Sequence, residues 1–271
     1  MASTTLQDLA QMKRDGHKSA CIVAWDHPMA AIAERAGADL ISVGDSVGIN
    51  LWGHRNPLEV TMEEMIVVGR AVRRGAPDTL LSVDFPFGPL QQGPAEAVRA
   101  AIRLAKEVGA DLVKLDGAAA FPEAVEAIVR AGIPVWAQFG ITPQTALAYG
   151  VDYAAMATQG TVVPEAMSAQ LVEEARRLEE AGAALLNFTN SGPVVGPAVV
   201  DAVSVPVLGG FGGGPWLDGR IRMAHAAIGY SASMLDAPQT AYANVAQTAL
   251  EVFEELLSDV REGRQIKGGR S

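Results

Sequence analysis

The chain carries one cysteine, Cys21, in 271 residues, so no internal disulfide can form and no thiolate cluster is available for zinc. Neither an HxH nor a CxxC spacing occurs. Positive charge is also short: 21 Lys and Arg against 31 Asp and Glu leave a formal charge of −10, and no basic run interrupts it. Such a surface attracts neither nucleic acid nor an anionic membrane. Apolar stretches are brief and broken by Gly or Asp, which excludes a membrane span. The opening MASTTLQDLAQMKRDG lacks the apolar core of a signal peptide and reads as a short amphipathic helix over 4–16. The expectation is a soluble, cytoplasmic protein with no nucleic-acid or membrane partner.

What is present is core-forming material, at 49% hydrophobic and 19% charged residues. One joint recurs, in ERAGADL, KEVGADL, VRAGIPV and EEAGAAL: a helix ends, glycine takes a left-handed cap, and an apolar strand begins. Strands are expected over Cys21–Trp25, Leu40–Val43, Leu80–Val83, Leu112–Leu115, Val135–Phe139, Ala184–Phe188 and Val205–Leu208, with an eighth around Tyr230–Leu235. Their nearly continuous apolar character suits parallel strands covered on both faces. Helix starts stand between them: a capping box at Thr61–Glu64, Thr142 followed by Pro143, and Pro94. Eight βα units read as a TIM (β/α)8 barrel. An open doubly wound sheet is the alternative, but no glycine-rich phosphate loop follows the first strand. No linker divides the chain, so 1–271 is expected as a single barrel domain. A C-terminal helix over about 242–261 carries an apolar stripe (Val245, Leu250, Phe253, Leu256, Leu257, Val260), and a mobile tail follows over 262–271.

Chemistry is expected at the carboxyl ends of the strands. Asp26, Asp45, Asp84 and Asp116 follow the first four. A lone aspartate there is usually a helix cap, but acids on successive strands repel unless a cation or shared protons relieve them. Asp45, Asp84 and Asp116 form the expected metal site, and magnesium suits it, since that ion takes oxygen ligands and keeps several waters. Lys114, two residues before Asp116, points to the same side of the pleat. It can hold a substrate carboxylate or simply neutralise Asp116. Ser46 and the amides around Gly44–Gly48 are a further anion clasp. His54 and Arg55 lie in the loop beyond, and His27 precedes Pro28 where a helix starts.

The runs VGDSVGINLWGH, LEVTMEEM, AVRRGAP, VDFPFG, VKLDG, FGITPQ and DGRIRMAH, in that order, closely resemble the ketopantoate hydroxymethyltransferase family. The resemblance implies a TIM barrel of the phosphoenolpyruvate mutase/isocitrate lyase superfamily type and large homo-oligomeric rings. It also implies Mg2+, a small 2-oxo acid as substrate, and methylenetetrahydrofolate as hydroxymethyl donor. It makes Asp45 and Asp84 metal ligands, and it makes Ser46 and Lys114 holders of the oxo-acid carboxylate. Departures from the family pattern concentrate on proton transfer. Asp116 replaces a glutamate, and Gln138 replaces a histidine. Thr189, in LLNFTNSGP beside Asn187 and Asn190, stands where the family has its glutamate base. The segment after His225 is also shortened. Threonine does not take a proton from carbon at neutral pH unaided, which leaves Asp116 and Asp26 as catalytic candidates. The expected function is therefore a Mg-dependent, aldol-type enzyme that forms or cleaves a carbon–carbon bond of a 2-oxo acid, other than ordinary ketopantoate synthesis. The alternatives are a metal-dependent lyase, hydratase or isomerase, and a non-catalytic metabolite-binding relative.

Overall fold

The computed structural model describes residues 3–151, 156, 162–237 and 241–268. After helix α1 (Leu6–Arg14), eight strands follow: β1 Ser19–Val23, β2 Leu40–Val43, β3 Leu80–Asp84, β4 Leu112–Leu115, β5 Val135–Gly140, β6 Leu185–Thr189, β7 Val207–Gly209 and β8 Gly219–Met223. They close in sequence order into a parallel barrel, as the periodicity predicts. Helices α2 (His27–Arg35), α3 (Val47–Trp52), α4 (Met62–Gly75), α5 (Pro94–Arg103), α6 (Pro122–Arg130), α7 (Ser168–Glu180) and α8 (Val195–Ala202) connect them. The joint glycines Gly37, Gly109, Gly132 and Gly182 all take positive φ, so each helix stops shortly before its strand begins. Thr61 and Glu64 form the expected reciprocal cap on α4.

Three local expectations are corrected. The eighth strand is Gly219–Met223, whereas Tyr230–Leu235 runs into helix α10 (Ser233–Asp236) after the short α9 (Ala224–Ala227). β8 alternates buried Gly219 and Ile221 with exposed Arg220 and Arg222, so it lacks the two-sided apolar signal of the other strands. β1 begins two residues earlier than expected, with Ala24 and Trp25 buried beyond its end. Thr142 and Pro143 do not start an α-helix. The Thr142 hydroxyl bonds Thr145 Oγ1 at 2.7 Å, and a 3-10 turn follows over Ala146–Tyr149.

The residues form two compact units, Met1–Arg222 and Met223–Ser271. The second holds α9, α10 and α11 (Val245–Arg261). Its described tail turns back on α11, with Arg264 Nε donating to Asp259 Oδ1 at 2.7 Å. Residues 269–271 of the expected mobile tail, and 238–240 of the shortened segment, lie outside the described residues. Among those residues no helix is long and apolar enough to cross a membrane.

Register fixes which side chains fill the barrel. Asp84 is the Cα partner of Lys114, Lys114 of Trp136, and Gln138 of Asn187. Strand alternation sends the intervening Phe139 and Phe188 to the opposite face, where their rings stack at 4.7 Å. Cys21 lies buried on β1, and burial, with the Asp39 charge adding to it, pushes its thiol far above the usual range.

Gly140 closes β5 at φ +91°, and a Cβ there would stand 2.5 Å from the Thr189 carbonyl oxygen. Gly132 has φ +87° with nothing within 4 Å. Gly132→Ala is expected to cost about 1 kcal/mol, the conformational strain alone. Gly140→Ala is expected to cost at least about 2 kcal/mol more, because a backbone clash is added. Urea unfolding measures both, and equal losses would show that β5 and β6 do not approach so closely.

Candidate active site at the carboxyl end of the barrel

Gly44 lets the chain leave β2 sharply. A Cβ on it would meet Ser46 Oγ at 2.8 Å and Val23 Cγ1 at 3.3 Å. Trp25 Nε1 donates to the Gly44 carbonyl at 3.0 Å and fixes the turn. Asp45 is thereby held inward and buried, together with Asp84, Lys114 and Asp116.

The four groups are cross-linked. Lys114 Nζ donates to Asp84 Oδ2 at 2.6 Å, and Ser42 Oγ donates to Asp84 Oδ1 at 3.3 Å. Gln144 joins the other two acids: its Nε2 donates to Asp45 Oδ2 at 2.8 Å and to the Phe85 carbonyl at 3.1 Å, while its backbone N donates to Asp116 Oδ2 at 3.3 Å. Nothing in the sequence singles out Gln144, although it closes the FGITPQ run. Lys114 Nζ also lies 5.7 Å from the centre of the Trp136 ring.

Crowding shows in the protonation equilibria. Burial, then the charges of Asp84 and Asp116, push Asp45 up to about 7 against the pull of Lys114 and Gln144. Burial likewise pushes Asp116 up to about 6, opposed by the Thr142 hydroxyl, Lys114 and the Gln144 amide. Burial disfavours the Lys114 ammonium, but Asp84, Asp45 and Asp116 together hold it above the ordinary lysine value. Asp116 Oδ1 is buried with no hydrogen-bond partner among the described residues. Hard oxygen donors, too many negative charges for one lysine and an unpartnered carboxylate oxygen all suit a divalent cation. Among the described residues no three His, Cys, Asp or Glu side chains form a ready-made cage. A Mg2+ site resting on one or two carboxylates and several waters does not need one.

Other expected residues sit elsewhere. Asp26 is the N-cap of α2, accepting from the Met29 amide at 2.7 Å. His27, the next residue, is exposed in the first turn of that helix. Ser46 precedes α3 without a capping hydrogen bond, but the Val47 and Gly48 amides already bond the Gly44 and Asp45 carbonyls. That removes them from the expected anion clasp. Arg55 is exposed, with its backbone N bonded to Glu59. His54 lies against Trp52 at 5.7 Å, its Nδ1 buried without a partner among the described residues.

At the expected base position Thr189 is buried, and its Oγ1 accepts from Gln138 Nε2 at 2.9 Å. Asn190, at φ +58°, donates from Nδ2 to the Ile141 carbonyl at 2.8 Å. These three side chains and Asn187 put amides and a hydroxyl, but no ionisable group, at this end of β5 and β6.

Known proteins resemble the chain along most of its length. The sequence profile described as Ketopantoate hydroxymethyltransferase matches residues 3–265. The 3-methyl-2-oxobutanoate hydroxymethyltransferase of Salinibacter ruber is 36% identical over 97% of this chain and 96% of its own. That of a Cyanothece species is 38% identical over 95% and 96%. Among solved structures, 2,3-dimethylmalate lyase, a member of the PEP mutase/isocitrate lyase superfamily, aligns at TM-score 0.60 and 15% identity over 99% of this chain and 91% of its own. Phosphonopyruvate hydrolase in complex with oxalate and Mg++ aligns at TM-score 0.58 and 15% identity over 96% and 88%. At that identity the structural likeness establishes the barrel.

The site predicts a cation-binding pattern that calorimetry with Mg2+ can read. Wild type and Asp26→Asn are expected to bind, and Asp84→Asn to lose binding. Affinity should rise as pH passes through 6 and 7, because the cation displaces protons held by Asp116 and Asp45. Equal binding by wild type and Asp84→Asn would refute the site.

Proposed function

The chain belongs to the ketopantoate hydroxymethyltransferase family, and on that premise we propose that it is a Mg-dependent enzyme that forms or cleaves a carbon–carbon bond of a small 2-oxo acid, with ordinary ketopantoate synthesis not its main reaction. Asp45 and Asp84 would hold the cation, and Asp116, with its short side chain, would face it across a water. The ion when bound supplies Lewis-acid polarisation of the 2-oxo group.

The chain's own residues supply the rest. Lys114 fixes Asp84 and offers its remaining donors to a substrate carboxylate, and the Ser46 hydroxyl lies in the neighbouring turn. Asp116 Oδ1 is the candidate proton acceptor. It is unpartnered among the described residues, and its carboxyl, pushed up to about 6, is mostly ionised yet still basic at neutral pH. Asp116 follows β4, two strands from the position on β6 where the family resemblance places its base. Asp26, committed to capping α2, is not favoured as a base. The observation that carries the reading is the Gln138–Thr189 hydrogen bond, an amide–hydroxyl pair where the family resemblance calls for a carboxylate. A missing general base forfeits roughly 10² to 10⁴ in rate. A requirement for methylenetetrahydrofolate rests on the family alone, and no residue of the site supports it.

Deuterium exchange at the 3-position of 2-oxoisovalerate isolates this defect from the folate half-reaction. Wild type with Mg2+ is expected to exchange slowly or not at all, and Thr189→Glu to gain exchange. Wild-type exchange at an enzyme-like rate would overturn the missing-base argument.

We also propose assembly into homo-oligomers, on the exposed Leu250, Phe253, Leu256, Leu257 and Val260 of α11. Sedimentation at micromolar concentration is expected to show a species larger than the monomer, and a monomer would remove the claim.

A further inference from the structure

Gln144 holds the carboxyl groups of two strands at once, and the turn that carries it is held by its own side chains. The Thr142 and Thr145 hydroxyls bond each other at 2.7 Å, and Thr145 N donates back to the Thr142 carbonyl at 3.1 Å. The turn also rests on the residue after Asp116: a Cβ on Gly117 would stand 2.9 Å from Thr145 Cγ2. Because the Phe85 carbonyl can only accept, the nitrogen end of the Gln144 amide must face it and Asp45 Oδ2. One oxygen of each acid is thereby taken. Asp45 Oδ2 accepts from the Gln144 side chain, Asp116 Oδ2 from the Gln144 backbone N, and Asp84 Oδ2 from Lys114 Nζ. Asp116 Oδ1 has no partner among the described residues, and Asp84 Oδ1 meets Ser42 Oγ at 3.3 Å.

A carboxylate with a donor seated on one oxygen offers a cation the other, unless that hydrogen bond is given up at a cost. Divalent ions differ in what they ask of it. Mg2+ is small, demands octahedral ligands at short range and keeps several waters, so single carboxylate oxygens serve it. Ca2+ takes more oxygens in a looser arrangement and often binds both oxygens of one carboxylate. We propose that Gln144 is a positioning residue that leaves Asp45 and Asp116 one available oxygen each, and so selects Mg2+ over Ca2+. This rests on the cation reading above and adds what that reading leaves open, how the site tells one divalent ion from another. Lys114 does the same at Asp84, but its charge also sets the affinity for any cation. Gln144 is neutral and acts through the placement of donors alone.

Calorimetry with Mg2+ and with Ca2+, in the absence of any substrate, tests the assignment. Wild type is expected to bind Mg2+ at least about tenfold more tightly than Ca2+, the range over which groups that orient metal ligands act. Gln144→Leu removes the side-chain donor without a change of charge, and Gln144→Asn draws the amide back by one methylene. Each keeps the backbone N on Asp116 and is expected to lower the ratio of Mg2+ to Ca2+ affinity by about tenfold, through a gain in Ca2+ binding. A role in the fold alone would weaken both ions together. An unmoved ratio in folded Gln144→Leu, or in Gln144→Asn where the leucine variant does not fold, would therefore overturn the assignment. Wild-type protein that binds Ca2+ as tightly as Mg2+ would overturn the selection and leave the cation site standing. Binding of neither ion would overturn the cation reading together with it.

Discussion

The buried ion pair between Lys114 and Asp84 is the constraint on which the rest of the site depends. An ammonium and a carboxylate are costly to take out of water singly, and breaking such a pair from one side typically costs about 3–5 kcal/mol. Here the pair spans adjacent strands in direct register, with Ser42 from β2 and the Trp136 ring from β5 around it. The barrel closure that places these strands side by side is thus tied to this charge arrangement. Were Lys114 neutral, Asp45, Asp84 and Asp116 would face one another with hydrogen bonds alone. With it charged, three carboxyl groups still outnumber one ammonium, the imbalance on which the proposed cation site rests.

Much of this is legible in the amino-acid sequence. The helix–glycine–strand joint predicts a barrel because it fixes where each helix ends and where the next strand begins, and seven strands come from nearly continuous apolar runs. β8 escapes for a physical reason: Arg220 and Arg222 put charges on its outer face, and only Gly219 and Ile221 mark it as buried. The acids are visible as interruptions of apolar runs. Gln144 is not, since a glutamine in a loop looks solvated until the fold sets it between Asp45 and Asp116. Asp26 shows the converse: it too closes an apolar run, as Asp45 does, but the helix beginning at once after it takes it as a cap.

The interior of this barrel is strongly polar towards its carboxyl end. Ser42, Ser82, Lys114, Gln138, Asn187 and Thr189 are buried there alongside the acids. A core built for stability alone would fill these positions with branched apolar residues. Ordering of that kind is retained one layer out, where Phe139 stacks on Phe188 and holds β5 against β6. The stacked pair keeps the strands in place while their inward faces carry Gln138, Asn187 and Thr189.

Cys21 carries a consequence of a more practical kind. Its sulfur is enclosed on β1, and its thiol is held protonated by burial. Alkylating and disulfide reagents attack the thiolate, so the native chain is silent towards them while it stays folded. A cysteine introduced anywhere on the surface would then be the single reactive thiol of the molecule. Fluorophores or spin labels can be placed site by site without first removing the native residue. Reactivity of Cys21 itself becomes a clock for loss of the burial that surrounds β1.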